Sequence, residues 1–164
     1  MKNCSRLPWI LVLILSAALI GIGVKFVVLG STSQAPDGRT AILLDGGERQ
    51  LVLGEMRALL ESTQQITEGM AAGDMQQVAQ AASAVGMQAT TTMDVKLKAK
   101  LPLDFKQLGF ATHQAFDDIA ALAAENAEPK RIQIKLADTM KNCIACHAGW
   151  QLPDTNTMTK GVTP

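Results

Sequence analysis

Cys143, Cys146 and His147 stand together in the run Asn142-Cys143-Ile144-Ala145-Cys146-His147, and their types and order suit the covalent attachment of haem. In a c-type site two thiols add across the vinyl groups of the porphyrin as thioethers, and the adjacent histidine supplies a nitrogen to the iron. On a helix, cysteines three residues apart share one side of a turn, and His147 lies one turn beyond Cys143. The spacing therefore predicts one covalently attached haem c, with Cys143 and Cys146 as the attachment points and His147 as the proximal ligand.

Two other chemistries use the same pair of cysteines. A Cys-x-x-Cys pair also serves as a redox dithiol or as half of a zinc site. Zinc needs further ligands, and outside the motif the chain offers only Cys4 and His113 among cysteines and histidines. Cys4 precedes a long apolar segment and has no evident chemical role. A four-ligand zinc cluster would have to recruit carboxylates.

The apolar segment sets the compartment. Lys2 and Arg6 precede an uninterrupted apolar stretch from Leu7 to Val24, and after Lys25 the run resumes through Leu29. This exceeds the roughly 7 to 15 apolar residues of a secretory signal and approaches the roughly 20 that span a bilayer. Lys25 lies near the outer end, where its amine can snorkel to the headgroups. Residues 1–30 are therefore expected to form an N-terminal membrane anchor, the alternative being a signal cleaved after Gly30. Positive charge before the span keeps that end in the cytoplasm and sends the remainder outward. The haem domain is then expected on the periplasmic side of a bacterial inner membrane.

The 164 residues hold 15 basic and 15 acidic side chains. Lys2, Arg6 and Lys25 belong to the leader, so the remainder is mildly acidic and without a basic tract, which excludes nucleic acid as a natural partner. No Tyr occurs, and Ala, Met, Leu and Gln are plentiful, a composition that favours helices.

Residues 31–43 open on Ser31-Thr32-Ser33-Gln34-Ala35-Pro36-Asp37-Gly38-Arg39 and have linker composition. Residues 44–152 are expected to form the haem domain, followed by a flexible tail over 153–164. Within the domain, Leu53, Met56, Leu60, Thr63, Thr67 and Met70 recur at helical steps, joined by Leu59 and Ile66, and predict a first helix over 47–72. Gly73 ends it and Asp74 caps a second to about Ala89, burying Met75, Val78, Ala79, Ala82 and Val85. Residues 90–100 read as a connection. A third helix starts near Pro102, with Phe105, Leu108, Ala115, Phe116, Ile119 and Leu122 inward, and a fourth near Pro129, with Ile132, Leu136, Met140, Cys143 and His147 inward. The expected fold is all-α: an antiparallel up-down-up-down four-helix bundle preceded by a transmembrane helix.

The placement of the haem motif near the end of such a bundle resembles the class II c-type cytochromes, the family of cytochrome c prime and its low-spin relatives. The resemblance covers about 44–150, and rests also on Glu55-Met56-Arg57, Ala72-Gly73-Asp74, Thr112-His113-Gln114-Ala115-Phe116-Asp117 and Trp150. Where the family has a basic residue after that aromatic, this chain has Gln151.

The resemblance implies that Met56 is the sixth iron ligand, a soft thioether that favours ferrous haem relative to two imidazoles. The competing reading makes Met56 one of eight methionines that fill helix interfaces. His113 is a second candidate for the sixth position, though its phase places it at the edge of the inward stripe, where it would hydrogen-bond a neighbour or a propionate. Asp117, Asp118, Glu125 and Glu128 read as solvated charges, and no paired-carboxylate signal for an enzyme is present. Lys96, Lys98 and Lys100 offer either a docking site for an acidic redox partner or a solvated loop.

The functional expectation is a monohaem electron carrier working between respiratory redox partners, not an enzyme. The alternative is a five-coordinate haem protein binding NO or CO, as in the high-spin branch of the family. A homodimer is compatible with the family's habit.

Overall fold

The computed structural model describes residues 6–154. Lys2, Cys4 and nearly all of the tail expected over 153–164 lie outside the described residues. The chain is mostly helical. An apolar helix α1 (Arg6–Gly23) continues as a π-helical stretch, Val24–Leu29, and is followed by strands β1 (Thr32–Gln34) and β2 (Thr40–Ile42). The helical domain comprises α2 (Gly46–Ala72), α3 (Met75–Ser83), a 3-10 helix Met87–Thr92, α4 (Val95–Lys100), α5 (Leu103–Ala124) and α6 (Pro129–Gly149). A two-residue strand, β3 (Trp150–Gln151), closes the described chain.

Residues 8–29 are long and apolar enough to cross a membrane. Lys25 turns its amine along the helix to the carbonyl of Gly30, at 3.2 Å. The lysine head thus lies toward the end of the span, as its flexible stem allows.

Local signals account for the ends of the main helices. Asp45 accepts from the Glu48 backbone N–H while Glu48 accepts from that of Asp45, a reciprocal cap that starts α2. Gly73, with φ of 74°, ends α2 in the left-handed region, and Asp74 caps α3 by accepting from Gln77 N–H at 2.9 Å. Pro129 opens α6 in the first turn, where its missing N–H costs nothing.

The main core joins α2, α3, α5 and α6 through Ile66, Val78, Ala82, Phe116, Ile119, Ile132 and Leu136. Helix α5 packs against both α3 and α6, and α3 packs against α2. A second cluster of Ile42, Leu44, Val52, Leu97 and Leu101 lies beside it, with Met56, Phe105 and Trp150 against its edge.

Four expectations are corrected. Residues 31–43 are no loose linker: β1 pairs antiparallel with β2, and β2 pairs in parallel with β3, joining Thr40 to Trp150 and Ala41 to Gln151. Ala41 and Ile42 are fully buried. The β1–β2 hairpin had a local mark in the Pro36-Asp37-Gly38 turn, which read as linker composition, whereas the β2–β3 pairing joins residues more than a hundred apart and leaves none. Residues 90–100 are likewise folded, as the end of the 3-10 helix and α4. Helix α3 stops at Ser83, and beyond it Asp117 reaches from α5 to accept the N–H of Met87, at 3.0 Å, at the start of the 3-10 helix. Asp117 is therefore a structural acceptor and not merely a solvated charge. Finally, Leu60, Thr67, Met140, Cys143 and His147, expected inward, are exposed. Of these, all but Thr67 border an open cleft beside α2, which explains an apolar stripe without close packing.

Candidate functional site: a cleft walled by the cysteine-histidine motif

Helices α2 and α6 meet only lightly, and between them and α5 lies a cavity of about 510 Å³. That size falls within the range of cofactor and small-ligand sites. Its walls are overwhelmingly apolar, with Val52, Leu53, Leu59, Leu101, Phe105, Leu108 and Phe116 among them. All four candidate site residues line it: Cys143, Cys146 and His147 from α6, and Met56 from α2. Two helices separated by most of the domain's sequence thus bring the thiols, the imidazole and the thioether to one cavity.

Helix α6 carries the motif to its last turn, and the chain leaving it is held on several sides. Trp150 packs edge-on against Phe105 of α5, with ring centres 5.8 Å apart. Arg39, from the turn before β2, donates from Nη1 to the carbonyl of His147 at 3.3 Å and from Nη2 to Oε1 of Gln151 at 3.4 Å. Arg49 of α2 donates to the carbonyl of Leu152 at 2.8 Å. An adjoining cavity of about 180 Å³ touches Arg39, Met56, Cys146, His147 and Trp150, so the guanidinium stands at the margin of the same site.

Burial pushes both thiols up. Desolvation of sulfur in the cleft wall raises Cys143, and desolvation together with the neighbouring Cys143 raises Cys146 to about 11. Reactive dithiols and zinc-binding thiols work as thiolates and sit where their pKa is lowered. Among the described residues no group of three or more His, Cys, Asp or Glu side chains gathers as a metal-binding cluster.

His113 is placed deeper than expected, at 5% exposure, also against the cavity. Its Nδ1 lies 2.7 Å from the carbonyl of Val85, and its Nε2 lies 3.0 Å from Oε1 of Glu55. A carbonyl can only accept and Nε2 faces a carboxylate, so the surroundings favour the doubly protonated ring. Burial acts to lower its pKa, but the hydrogen bonds to Glu55 and Val85 and the charges of Glu55 and Asp117 outweigh that, and the net direction is upward. Both ring nitrogens are thus engaged by protein partners.

Reasoning from sequence overlooked Arg39, which lay in the supposed linker. It also gave Glu55 no role, although Glu55 stands one residue before Met56. The position of Glu55 one helical turn from the cleft-lining Leu59 was the available signal.

Comparison with protein-family models, curated proteins and solved structures returns no match. The chemistry of the site must therefore be read from its own residues.

Proposed function

We propose that this protein is a membrane-anchored, monohaem c-type cytochrome that carries single electrons between redox partners on the periplasmic side of a bacterial inner membrane. The observation that carries this reading is the shared cavity: a Cys-x-x-Cys-His motif on α6 and a methionine on α2 line one apolar space of cofactor size. The class II cytochrome resemblance supports it, and α2, α3, α5 and α6 are read as that family's up-down-up-down bundle.

Haem c would fit the residues present. Cys143 and Cys146 would hold the porphyrin, and His147 of α6 and Met56 of α2 would ligate its iron. The bound iron would supply reversible one-electron chemistry at a potential set by its axial ligands, by hydrogen bonding and by burial. The protein's part is positioning and exclusion. The Trp150–Phe105 contact and the Arg39 hydrogen bond hold the chain around His147, while Leu59, Phe105 and Phe116 keep water from the interior of the cleft. Arg39 and Arg57 are cations at its margins, suited to the acidic groups of a porphyrin, and Arg39 stands where Gln151 cannot provide a charge.

The deciding experiment is mass spectrometry of the exported native protein, with haem staining after denaturing electrophoresis. Mass increased by one haem and lost in Cys143→Ser/Cys146→Ser supports the reading; a bare polypeptide mass refutes it. The oxidised absorption spectrum then separates carrier from gas binder. A weak methionine-to-iron band marks the six-coordinate carrier, whereas a high-spin spectrum with rapid CO uptake marks a five-coordinate haem.

A further inference from the structure

The three lysines before α5 find a setting that sequence did not suggest. Helix α4 and the first turns of α5 pack directly against Val24–Leu29, the end of the apolar span. Lys106 donates from Nζ to the carbonyl of Val27 at 3.0 Å, and Ser31 N–H donates to the carbonyl of Lys100 at 2.7 Å. Gly30, between them, has no room for a side chain, since a Cβ would strike Lys100 O, Leu101 C and Pro102 N. No flexible tether separates span from domain here.

If residues 8–29 span the bilayer, that contact sets depth: Val27 lies two residues from the end of the stretch long and apolar enough to cross, which puts the amine of Lys106 at the membrane boundary. Helix α4 has six residues, about 9 Å of helix at 1.5 Å per residue. The polar layer on each side of a bilayer is about 5 to 8 Å deep. Anchored at Lys100 beside the span, α4 therefore lies in or on the headgroup layer.

Its outer surface matches that layer. Leu97 is buried inward, while Val95 is 78% exposed and Lys96 is exposed beside it. Lys98 and Lys106 are half-buried and Lys25 is exposed; the Lys106 amine donates to the carbonyls of Val27 and Lys98 and that of Lys25 to the carbonyl of Gly30, which leaves each ammonium at least one further N–H for a phosphate. Lys100 is already engaged by Glu48 and Asp45. The carboxylates of the same stretch are Asp94, which accepts the N–H of Lys96 as the helix cap, and Asp104 at the start of α5. The amines outnumber them.

We propose that Val95, Lys96, Lys98 and Lys106, with Lys25, form a membrane-surface patch that binds anionic phospholipid headgroups and sets the tilt of the domain against the bilayer. The proposal rests on the reading of residues 8–29 as a span and is independent of the haem. Val95 enters the interface while the amines meet phosphates, a division of labour common to surface-lying amphipathic segments.

The test uses the full-length protein in lipid nanodiscs, with a benzophenone amino acid placed at Val95 or, as a control, at Ile134. Ile134 is exposed and near the α5–α6 turn, at the opposite end of α5 from Lys106. In discs containing phosphatidylglycerol, illumination should yield lipid adducts at position 95 severalfold above position 134. The yield should fall about 25-fold in Lys96→Glu/Lys98→Glu, at about fivefold for each lysine's headgroup contact, and at least as far in discs of phosphatidylcholine alone. Insertion with equal adducts at both positions overturns the patch, as does a yield indifferent to lipid charge. Cross-linking in native membranes to an acidic protein in place of lipid also overturns it. Failure of the chain to enter discs overturns the span reading itself.

Discussion

Arg39 and His147 are 108 residues apart in sequence, yet the guanidinium donates to the histidine's backbone carbonyl at 3.3 Å. Arg39 is held in turn by Asp37, at 2.7 Å. The Arg39 side chain keeps about a third of its surface exposed, so the stability at stake is modest. Arg39→Ala should cost about 1 kcal/mol or less in thermal unfolding, typical of hydrogen bonds exchanged with water. Its larger effect should be local. Under the proposed haem reading, if Arg39 steadies the end of α6, the variant should keep the haem and shift its reduction potential, whereas an unchanged potential would reduce Arg39 to a surface contact.

Met56 lies half-buried at the cleft beside the second hydrophobic cluster. Under the proposed haem reading, Met56→Ala should remove the weak methionine-to-iron absorption, lower the potential and admit CO, since an open position would replace a soft thioether. Removing a fully buried methionine costs about 2 to 5 kcal/mol, and partial burial should bring this near the lower bound or beneath it. A spectrum identical to wild type would assign Met56 to packing alone.

His113 and Glu55 couple stability to pH. The folded pKa of His113 is raised above its ordinary 6.5, so the folded state binds the proton more tightly than the unfolded chain does. The resulting stability is fully present below about 6.5, the ordinary histidine value, and is lost as pH rises through the higher folded value. Urea midpoints measured from pH 5 to 9 should therefore fall across this upper window in wild type. The fall should be absent from His113→Gln. An identical slope in both would place the titration elsewhere.

Gly86 and Asp117 are in contact such that any Cβ on residue 86 would collide with the Asp117 carboxylate. Gly86→Ala should therefore displace Asp117 from the N–H of Met87 and cost about 1 to 3 kcal/mol, as overpacking does. In an Asp117→Ala background the same substitution should cost much less, and a double-mutant cycle of urea unfolding measures the difference. Additive costs would show that the crowding is relieved by other means.

What could be read from the sequence follows the range of the interactions. The long apolar N-terminal helix, the α2 and α3 caps at Gly73 and Asp74, and Pro129 at the start of α6 are local signals, and each appears in the structure where its residues stand. The thiols, imidazole and thioether were legible as residue types, and their meeting at one cavity is a product of helix packing. The pairing of Thr40 and Ala41 with Trp150 and Gln151 carried no comparable signal, because those partners lie at the other end of the domain, while the local β1–β2 hairpin was masked by its linker-like composition. His113 was misplaced at an edge because its burial depends on Glu55 of α2 and on Val85, just past the end of α3. Leu60 failed in the opposite sense: its periodicity marked a wall of the cleft, which remains open at that point.

Gly30 and Gly38 separate backbone strain from steric collision. Both have positive φ, 64° and 88°, but Gly38 has open space around it. Gly30 combines its φ with a ψ of −155°, a region almost reserved for glycine, and its missing side chain faces the Lys100–Pro102 backbone. A strained residue costs on the order of 1 to 3 kcal/mol. Gly38→Ala should show strain alone, near the lower end. Gly30→Ala should exceed it, because the Ser31–Lys100 hydrogen bond would part and the domain would loosen from the span. Limited proteolysis of the full chain in nanodiscs should accordingly cut residues 31–43 faster in Gly30→Ala than in Gly38→Ala. Equal rates would mean that the junction between span and domain yields without strain.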